Sequence, residues 1–134
     1  MRMHRYVEHV AELELELEAT SEAELFAEAL VAFRELVDGL GTRGRRLRRE
    51  IVLAPEDHPE LLLADWLDEL VFLAEVEAFV PRELVEVALV GGGLRATADG
   101  ELGRPRHVVK AVTFEKLELS QTRGRWRGHV VLDV

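Results

Sequence analysis

Between Glu12 and Glu18 the chain alternates without interruption, Glu-Leu-Glu-Leu-Glu-Leu-Glu. Successive strand side chains point to opposite faces, so Leu13, Leu15 and Leu17 share one side and four carboxylates the other. No helical winding separates the two classes this way. The stretch from Tyr6 to Glu18 is therefore expected to be a strand in a sheet covered on one face and wet on the other. The far end repeats the pattern, with Trp126, Val130, Leu132 and Val134 alternating up to the last residue. Termini usually fray unless a sheet holds them. A held terminus would set the Asp133 carboxylate and the C-terminal carboxylate of Val134 within a few ångströms of each other. Two fixed anions repel and favour a shared cation, so a small oxygen-ligand metal site is expected there.

Between these strands the periodicity changes. Ser21 stands three residues before Glu24, the spacing of a capping box, and Leu25, Phe26, Ala29, Leu30, Phe33, Leu36, Val37 and Leu40 follow at helical intervals. Gly39 or Gly41 should end that helix. A basic turn, Thr42 to Arg46, leads to a strand marked by Leu47, Ile51 and Leu53 and stopped by Pro55. Asp57 is the expected cap of a second helix with Pro59 in its first turn and a buried face from Leu62 to Ala74, including Trp66, Leu67 and Leu70. Pro81 closes this unit. Leu84 to Val90 and Leu94 to Ala98 read as a hairpin around Gly91-Gly92-Gly93, and Gly100 to Arg106 as a loop. Val108 to Leu119 contains one or more strands, although Val108 to Val112 fits a short helix equally well. Arg125 to Val134 is the last strand. The order β-α-β-α-β-β-β-β predicts one α+β domain over residues 1–134, with two main helices packed on a mostly antiparallel sheet of about six strands.

Charge and composition narrow the function. The net charge of −9 disfavours direct RNA contact, because phosphate binding is driven by Lys and Arg. A cation or a basic partner suits it better. The absence of cysteine excludes disulfides, thiolate metal ligands and a Cys nucleophile, and fits a cytoplasmic setting. Asp65 and Asp68 interrupt the longest apolar run, Leu61 to Val76, and Met1 to His9 lacks an apolar leader core, so neither a membrane span nor a secretory signal is expected. No Gly-rich loop opens a helix, no His-Glu-x-x-His occurs, and Ser21 is better explained as a cap than as a nucleophile.

Four clusters remain, each with a plain structural alternative. Glu8 to Glu12, with His9, stands where the alternation begins, yet Glu12 also reads as the first of a solvated row. Asp133 reads as a ligand or as a wet-face residue beside His129 and Arg127. Lys110 lies in an apolar run, where its ammonium either serves a site or simply reaches water. The arginines from Arg43 to Arg49 suit RNA, or pair across strands with the glutamate row.

Four segments, in order along nearly the whole chain, resemble the archease family. They are His9-Val10-Ala11-Glu12, Trp66-Leu67-Asp68-Glu69-Leu70, Lys110-Ala111-Val112-Thr113-Phe114 and Val131-Leu132-Asp133-Val134. The resemblance implies a non-catalytic activator of an RtcB-type tRNA-splicing RNA ligase, promoting its guanylylation and repeated turnover. It also implies a divalent cation, calcium first with Mn²⁺ or Mg²⁺ as alternatives, held by Glu12, Asp133 and Val134. Lys110 matches a lysine of importance in the family, and His9 and Lys110 are carried over as partner or phosphate contacts. The family usually reads His-Thr-Ala-Asp where this chain has Val10 and Glu12, which removes a hydroxyl and lengthens one ligand by a methylene. The competing expectations are a small metal-dependent hydrolase using the same acids with His9 or His129 as base, and a metal-free interaction domain.

Overall fold

The computed structural model describes residues 1–38 and 44–134. Seven strands and two helices follow in the order β1 (Met3–His9), β2 (Glu12–Ala19), α1 (Glu22–Asp38), β3 (Arg46–Leu53), α2 (Pro59–Glu75), β4 (Phe79–Val90), β5 (Gly93–Leu102), β6 (Ala111–Thr122) and β7 (Arg125–Asp133). All ladders are antiparallel. They form a four-stranded sheet, β1-β2-β7-β6, and a three-stranded sheet, β3-β5-β4. Both helices pack against strands of both sheets, so the helical pair joins them into one core.

The predicted alternation in β2 is realised residue by residue, with Leu13, Leu15, Leu17 and Ala19 buried and the glutamates between them partly exposed. On β7 the same inner face carries Gly128, Val130 and Leu132. A Cβ on Gly128 would stand 3.1 Å from Leu63 and 3.3 Å from Leu25, so the missing side chain lets both helices seat on the strand. Ser21 caps α1 as expected: its Oγ accepts the Glu24 N–H at 3.1 Å. Trp66, fully buried, donates its indole N–H to the Phe26 carbonyl at 3.0 Å and ties α2 to α1.

Several boundaries differ from the sequence expectation. The first strand is a hairpin, not one run. His9 pairs with Glu12 around a two-residue turn, Val10-Ala11, and Ala11 has φ 63°. The alternation of β1 is weaker because it is an edge strand. That left-handed backbone is costly for an alanine, so Ala11→Gly is expected to raise stability by up to about 1 kcal/mol in denaturant unfolding. The hairpin β4-β5 forms around Gly91 and Gly92, both at positive φ as the tightest hairpin turn demands, but its strands run further than expected. Pro81 lies inside β4 rather than ending a unit. It is tolerated because β4 is an edge strand and its register shifts there. Gly100 lies inside β5, where a Cβ would meet the Phe79 ring at 2.5 Å. The cap of α2 is His58, not Asp57, and makes no side-chain cap bond; Pro59 follows it and has no N–H to satisfy. Residues 108–110 are neither helix nor strand, and β6 begins at Ala111. The expected end of α1 at Gly39 or Gly41, its face residue Leu40 and the turn residues Thr42 and Arg43 lie outside the described residues.

Strand β1 is bound to α1 by a polar network. The His4 ring nitrogens face Glu28 and Glu35, the latter at 2.8 Å, and Arg2 meets Glu28 at 3.0 Å. Tyr6 donates its hydroxyl to the Ala32 carbonyl at 2.9 Å. Burial, and after it the Glu35 carboxylate, push the Tyr6 hydroxyl well above the ordinary phenol range. Because the folded value is the raised one, this contribution to stability is whole below about pH 10 and is lost as pH rises through the folded value. Tyr6 is the only tyrosine, so phenolate absorbance reports it alone. The ionisation should appear only with alkaline unfolding. Tyr6→Phe should lose about 1 kcal/mol at neutral pH and flatten the alkaline limb. Phenolate forming near pH 10 in folded protein would contradict this reading.

Candidate metal and partner site

The outer face of the four-stranded sheet carries the glutamate row, and its register decides which members are neutralised. Glu16 receives Arg5, with Nε 2.8 Å from a carboxylate oxygen, and Glu18 receives Arg125. Glu14 lies between two imidazoles, His9 on one oxygen and His129 on the other at 2.7 Å. Hydrogen bonds from His9 and then His129 hold the Glu14 carboxyl below the usual carboxylate range. Glu12 differs from all of them. Among the described residues no basic group lies within 4.0 Å of it. Directly across the ladder stands Asp133, also without such a partner. Opposed residues on neighbouring strands share a face, and like charges so placed cost roughly 0.2–1 kcal/mol.

The backbone around this pair is closely tied. The Lys110 N–H donates to the Asp133 carbonyl at 2.8 Å, and the Val134 N–H donates to the Ala11 carbonyl at 3.2 Å. Ala111 pairs with Asp133 from the other side. Thus His9, Glu12, Asp133 and Ala111 form one row across all four strands, with Val10, Lys110 and Val134 at its end. Three of the four resembling segments meet here. The fourth, around Trp66, does not: Trp66, Leu67 and Leu70 are core.

Each expected site residue therefore has a place. Glu12, Asp133 and Val134 are brought together. Lys110 is exposed beside them, and its Nζ has no carboxylate partner within 4.0 Å among the described residues. His9 is adjacent but holds Glu14. His129 is held at both nitrogens, Nδ1 against the Lys116 carbonyl at 2.9 Å and Nε2 against Glu14. That carbonyl belongs to an irregular stretch of β6. Thr113 pairs with Val131 and Glu118 with His129, so residues 114–117 stand against Val130 alone and leave Phe114 exposed. The arginines of β3 do not meet the glutamate row. Strand β3 lies in the other sheet, where Arg46 pairs with Asp99 at 2.5 Å and Arg49 with Glu77 at 3.0 Å.

The donor set at the row's end is all oxygen, two side-chain carboxylates with backbone carbonyls nearby, which suits a hard cation rather than zinc or copper. Among the described residues no group of three or more His, Cys, Asp or Glu side chains is arranged to hold a metal. Two carboxylates alone make a weak site that keeps its waters, unless the α-carboxylate of Val134 joins them. Sequence reasoning named Glu8 within the Glu8 to Glu12 cluster but missed Tyr6 and His107. They line a cleft of about 340 Å³ beside Glu12 and Val134, and they converge only because the segment before β6 folds against the end of α1.

The family model for the Archease protein family (MTH1598/TM1083) matches residues 4–134. Protein archease of Methanosarcina mazei is 32% identical over 143 residues, covering 99% of this chain and 97% of that protein. Protein archease of Pyrobaculum calidifontis is 31% identical, covering 98% and 95%. The solution structure of Methanobacterium thermoautotrophicum protein 1598 superposes with a TM-score of 0.68 at 26% identity, covering 98% of each chain. An archease from Thermotoga maritima, described as a possible chaperone, has the same fold at a TM-score of 0.63 and 18% identity, again over 98% of each chain. No helix among the described residues is long and apolar enough to cross a membrane. With the family model matching residues 4–134 and a relative 32% identical over 99% of the chain, this chain belongs to the archease family.

Proposed function

We propose that this protein is a non-catalytic, cytoplasmic accessory factor that activates an RtcB-type RNA ligase in tRNA splicing or RNA repair. In this reading it promotes guanylylation of the ligase and its return for further rounds. The observation that carries a cation site is the isolation of Glu12. Every other glutamate in its row has a base, whereas Glu12 faces Asp133. A divalent cation, Ca²⁺ before Mn²⁺ or Mg²⁺, would be held by Glu12, Asp133 and the α-carboxylate of Val134. When bound it supplies positive charge that offsets carboxylate repulsion and attracts phosphate oxygens. The chain's own contributions are positional. The Val134–Ala11 bond holds the tail, the Lys110–Asp133 bond holds the strand, and Lys110 presents its ammonium to the partner or its phosphate. His9, on Glu14, borders the same contact.

The hydrolase alternative needs a free base near the acids. His129 is held at both ring nitrogens, and the half-exposed His9 directs Nε2 at Glu14, which leaves its Nδ1 as the one imidazole nitrogen of the two that could serve as a base. Direct RNA contact is disfavoured by the net charge and by the pairing of Arg46 and Arg49 with acids. The test is ligase turnover with GTP and Mn²⁺, with and without substoichiometric untagged protein. Wild type should raise guanylylation and permit multiple turnovers, and Lys110→Ala should impair both while leaving Ca²⁺ affinity unchanged. Absent stimulation rejects the activator. Turnover of a phosphoester by the isolated protein would favour the hydrolase, and indifference to a chelator a metal-free interaction domain.

A further inference from the structure

Helix α2 carries an acidic face that its own fold leaves unanswered. Its outward stripe runs Asp65, Asp68, Phe72, Glu75 and Val76, at the helical spacings of three and four, away from the buried Trp66, Leu67 and Leu70. From Pro59 to Glu75 the helix holds Glu60, Asp65, Asp68, Glu69 and Glu75 and no lysine, arginine or histidine. Among the described residues none of these acids has a basic group within 4.0 Å. Helix stability does not explain them. Like charges three and four residues apart, as in Asp65 with Asp68 and Glu69, destabilise a helix, and Glu75 opposes the dipole at the C-terminal end. The crowding shows in the carboxyls themselves. Asp65, by a hydrogen bond and by its charge, pushes the Glu56 carboxyl above its ordinary range, and partial desolvation raises that of Asp68.

Two large apolar side chains stand among these acids. Phe72 is 43% exposed and Val76, one turn on, 68%. At Val76 a shallow hollow of about 180 Å³ opens, walled by Ala78, Pro105 and the exposed Val108, with Glu75 and Arg104 also lining it. Arg104 is the single base there, and it meets no acid within 4.0 Å among the described residues. Such a face repels nucleic-acid phosphates and anionic headgroups, and its apolar anchors offer a bare cation nothing. A protein segment bearing both basic and aliphatic side chains complements it in charge and in apolar surface. We propose that the outer face of α2 docks a basic amphipathic segment of the protein partner, its cations on Asp65, Asp68 and Glu75 and its apolar side chains on Phe72, Val76 and the hollow. That a protein partner exists rests on the accessory-factor reading above; the chemistry of the face does not. The docking also gives a use to Asp68 and Glu69, the two residues of the Trp66 to Leu70 segment that the core does not take up.

The probe is a blocked peptide of Leu-Arg-Ala-Arg repeats, titrated into the untagged full-length protein while the backbone amides of Asp68, Phe72 and Val76 are followed by NMR. An oligoarginine of equal charge and the same peptide with glutamine for arginine are the controls. The probe should give saturable shifts along α2 that weaken as salt rises. Phe72→Ala, and separately the pair Asp68→Asn with Glu75→Gln, should each weaken binding about tenfold. All three side chains are exposed, so the spectrum away from α2 should be unchanged. Shifts absent from α2, equal affinity for either control, or undiminished binding in either variant each overturn the proposal. So do α2 shifts that grow with protein concentration without peptide, which place a second copy on the face. Ligase assays of the same variants separate this proposal from the reading it rests on. Stimulation by wild type with undiminished ligase affinity in both variants rejects only the helix face; peptide binding on α2 without ligase stimulation rejects only the ligase.

Discussion

Asp133→Asn should abolish most divalent-cation binding while leaving the cation-free protein as stable as wild type or slightly more so. The two effects have one origin. Asp133 stands opposite Glu12, and among the described residues neither carboxylate has a basic group within 4.0 Å, so in the absence of a cation the pair is mutually repulsive. Neutralising one member relieves roughly 0.2–1 kcal/mol. The same change removes a central carboxylate of the proposed site, and loss of a group supporting a metal commonly weakens affinity about 10–100-fold. Calorimetric titration with Ca²⁺ gives the affinity, and thermal unfolding with and without Ca²⁺ gives the sign of the stability change. Wild type should gain Tm with Ca²⁺ and the variant should not. Extending the chain beyond Val134 offers an independent test. It turns the α-carboxylate into a peptide carbonyl but spares the Val134 N–H bond to Ala11, so affinity should fall while the fold persists. Equal Ca²⁺ affinity in wild type and Asp133→Asn, or a destabilised cation-free variant, would rule out the repulsive-pair account.

Trp66→Ala should be the most damaging single substitution to the fold. The ring is fully buried, stacks at an angle on Phe26 with centroids 6.2 Å apart, and donates to the Phe26 carbonyl. Truncation leaves a cavity between the helices and costs about 3–5 kcal/mol, a large part of the 5–15 kcal/mol that typically separates folded from unfolded states. The denaturant midpoint should fall with little change in slope. Leu70→Ala, on the same buried face, should cost about 2–5 kcal/mol and lower ligase stimulation only in proportion to lost folded protein. A loss under about 1 kcal/mol for Trp66→Ala would mean that the indole does not join the helices as described.

These substitutions differ in how visible they are in the chain. Trp66 and Leu70 could be assigned to a buried helical face from spacing alone, because a helix places its apolar residues by local winding. Glu12 could not be separated from Glu14, Glu16 and Glu18 by spacing, since all four occupy equivalent positions in one alternating run. What separates them is which base reaches each carboxylate: Arg5 meets Glu16 directly across the ladder, Arg125 meets Glu18 and two histidines meet Glu14 diagonally, and Glu12 faces Asp133 with no basic group within 4.0 Å among the described residues. The arginines of β3 illustrate the opposite error. Their charge suggested pairing with the glutamate row, but strand order placed them in another sheet, against Asp99 and Glu77. Strand β1 is hard to tell from β2 in the chain because an edge strand needs little alternation, and only the turn at Ala11 divides them.

By itself the sequence determined the periodicity of both helices and of β2 and β7, the cap at Ser21 and the hairpin turn within Gly91-Gly92-Gly93. It also determined the four segments that resemble the archease family. Each of these depends on residues a few positions apart, where backbone geometry and side-chain spacing act directly. The tertiary structure alone decided that seven strands divide into two sheets sharing one helical pair, and that Glu12 meets Asp133 with no base between them. It also decided that a cleft opens beside that pair. Those outcomes depend on the register between strands separated by more than a hundred residues. A slip of one residue there would turn every carboxylate of the row to the other face.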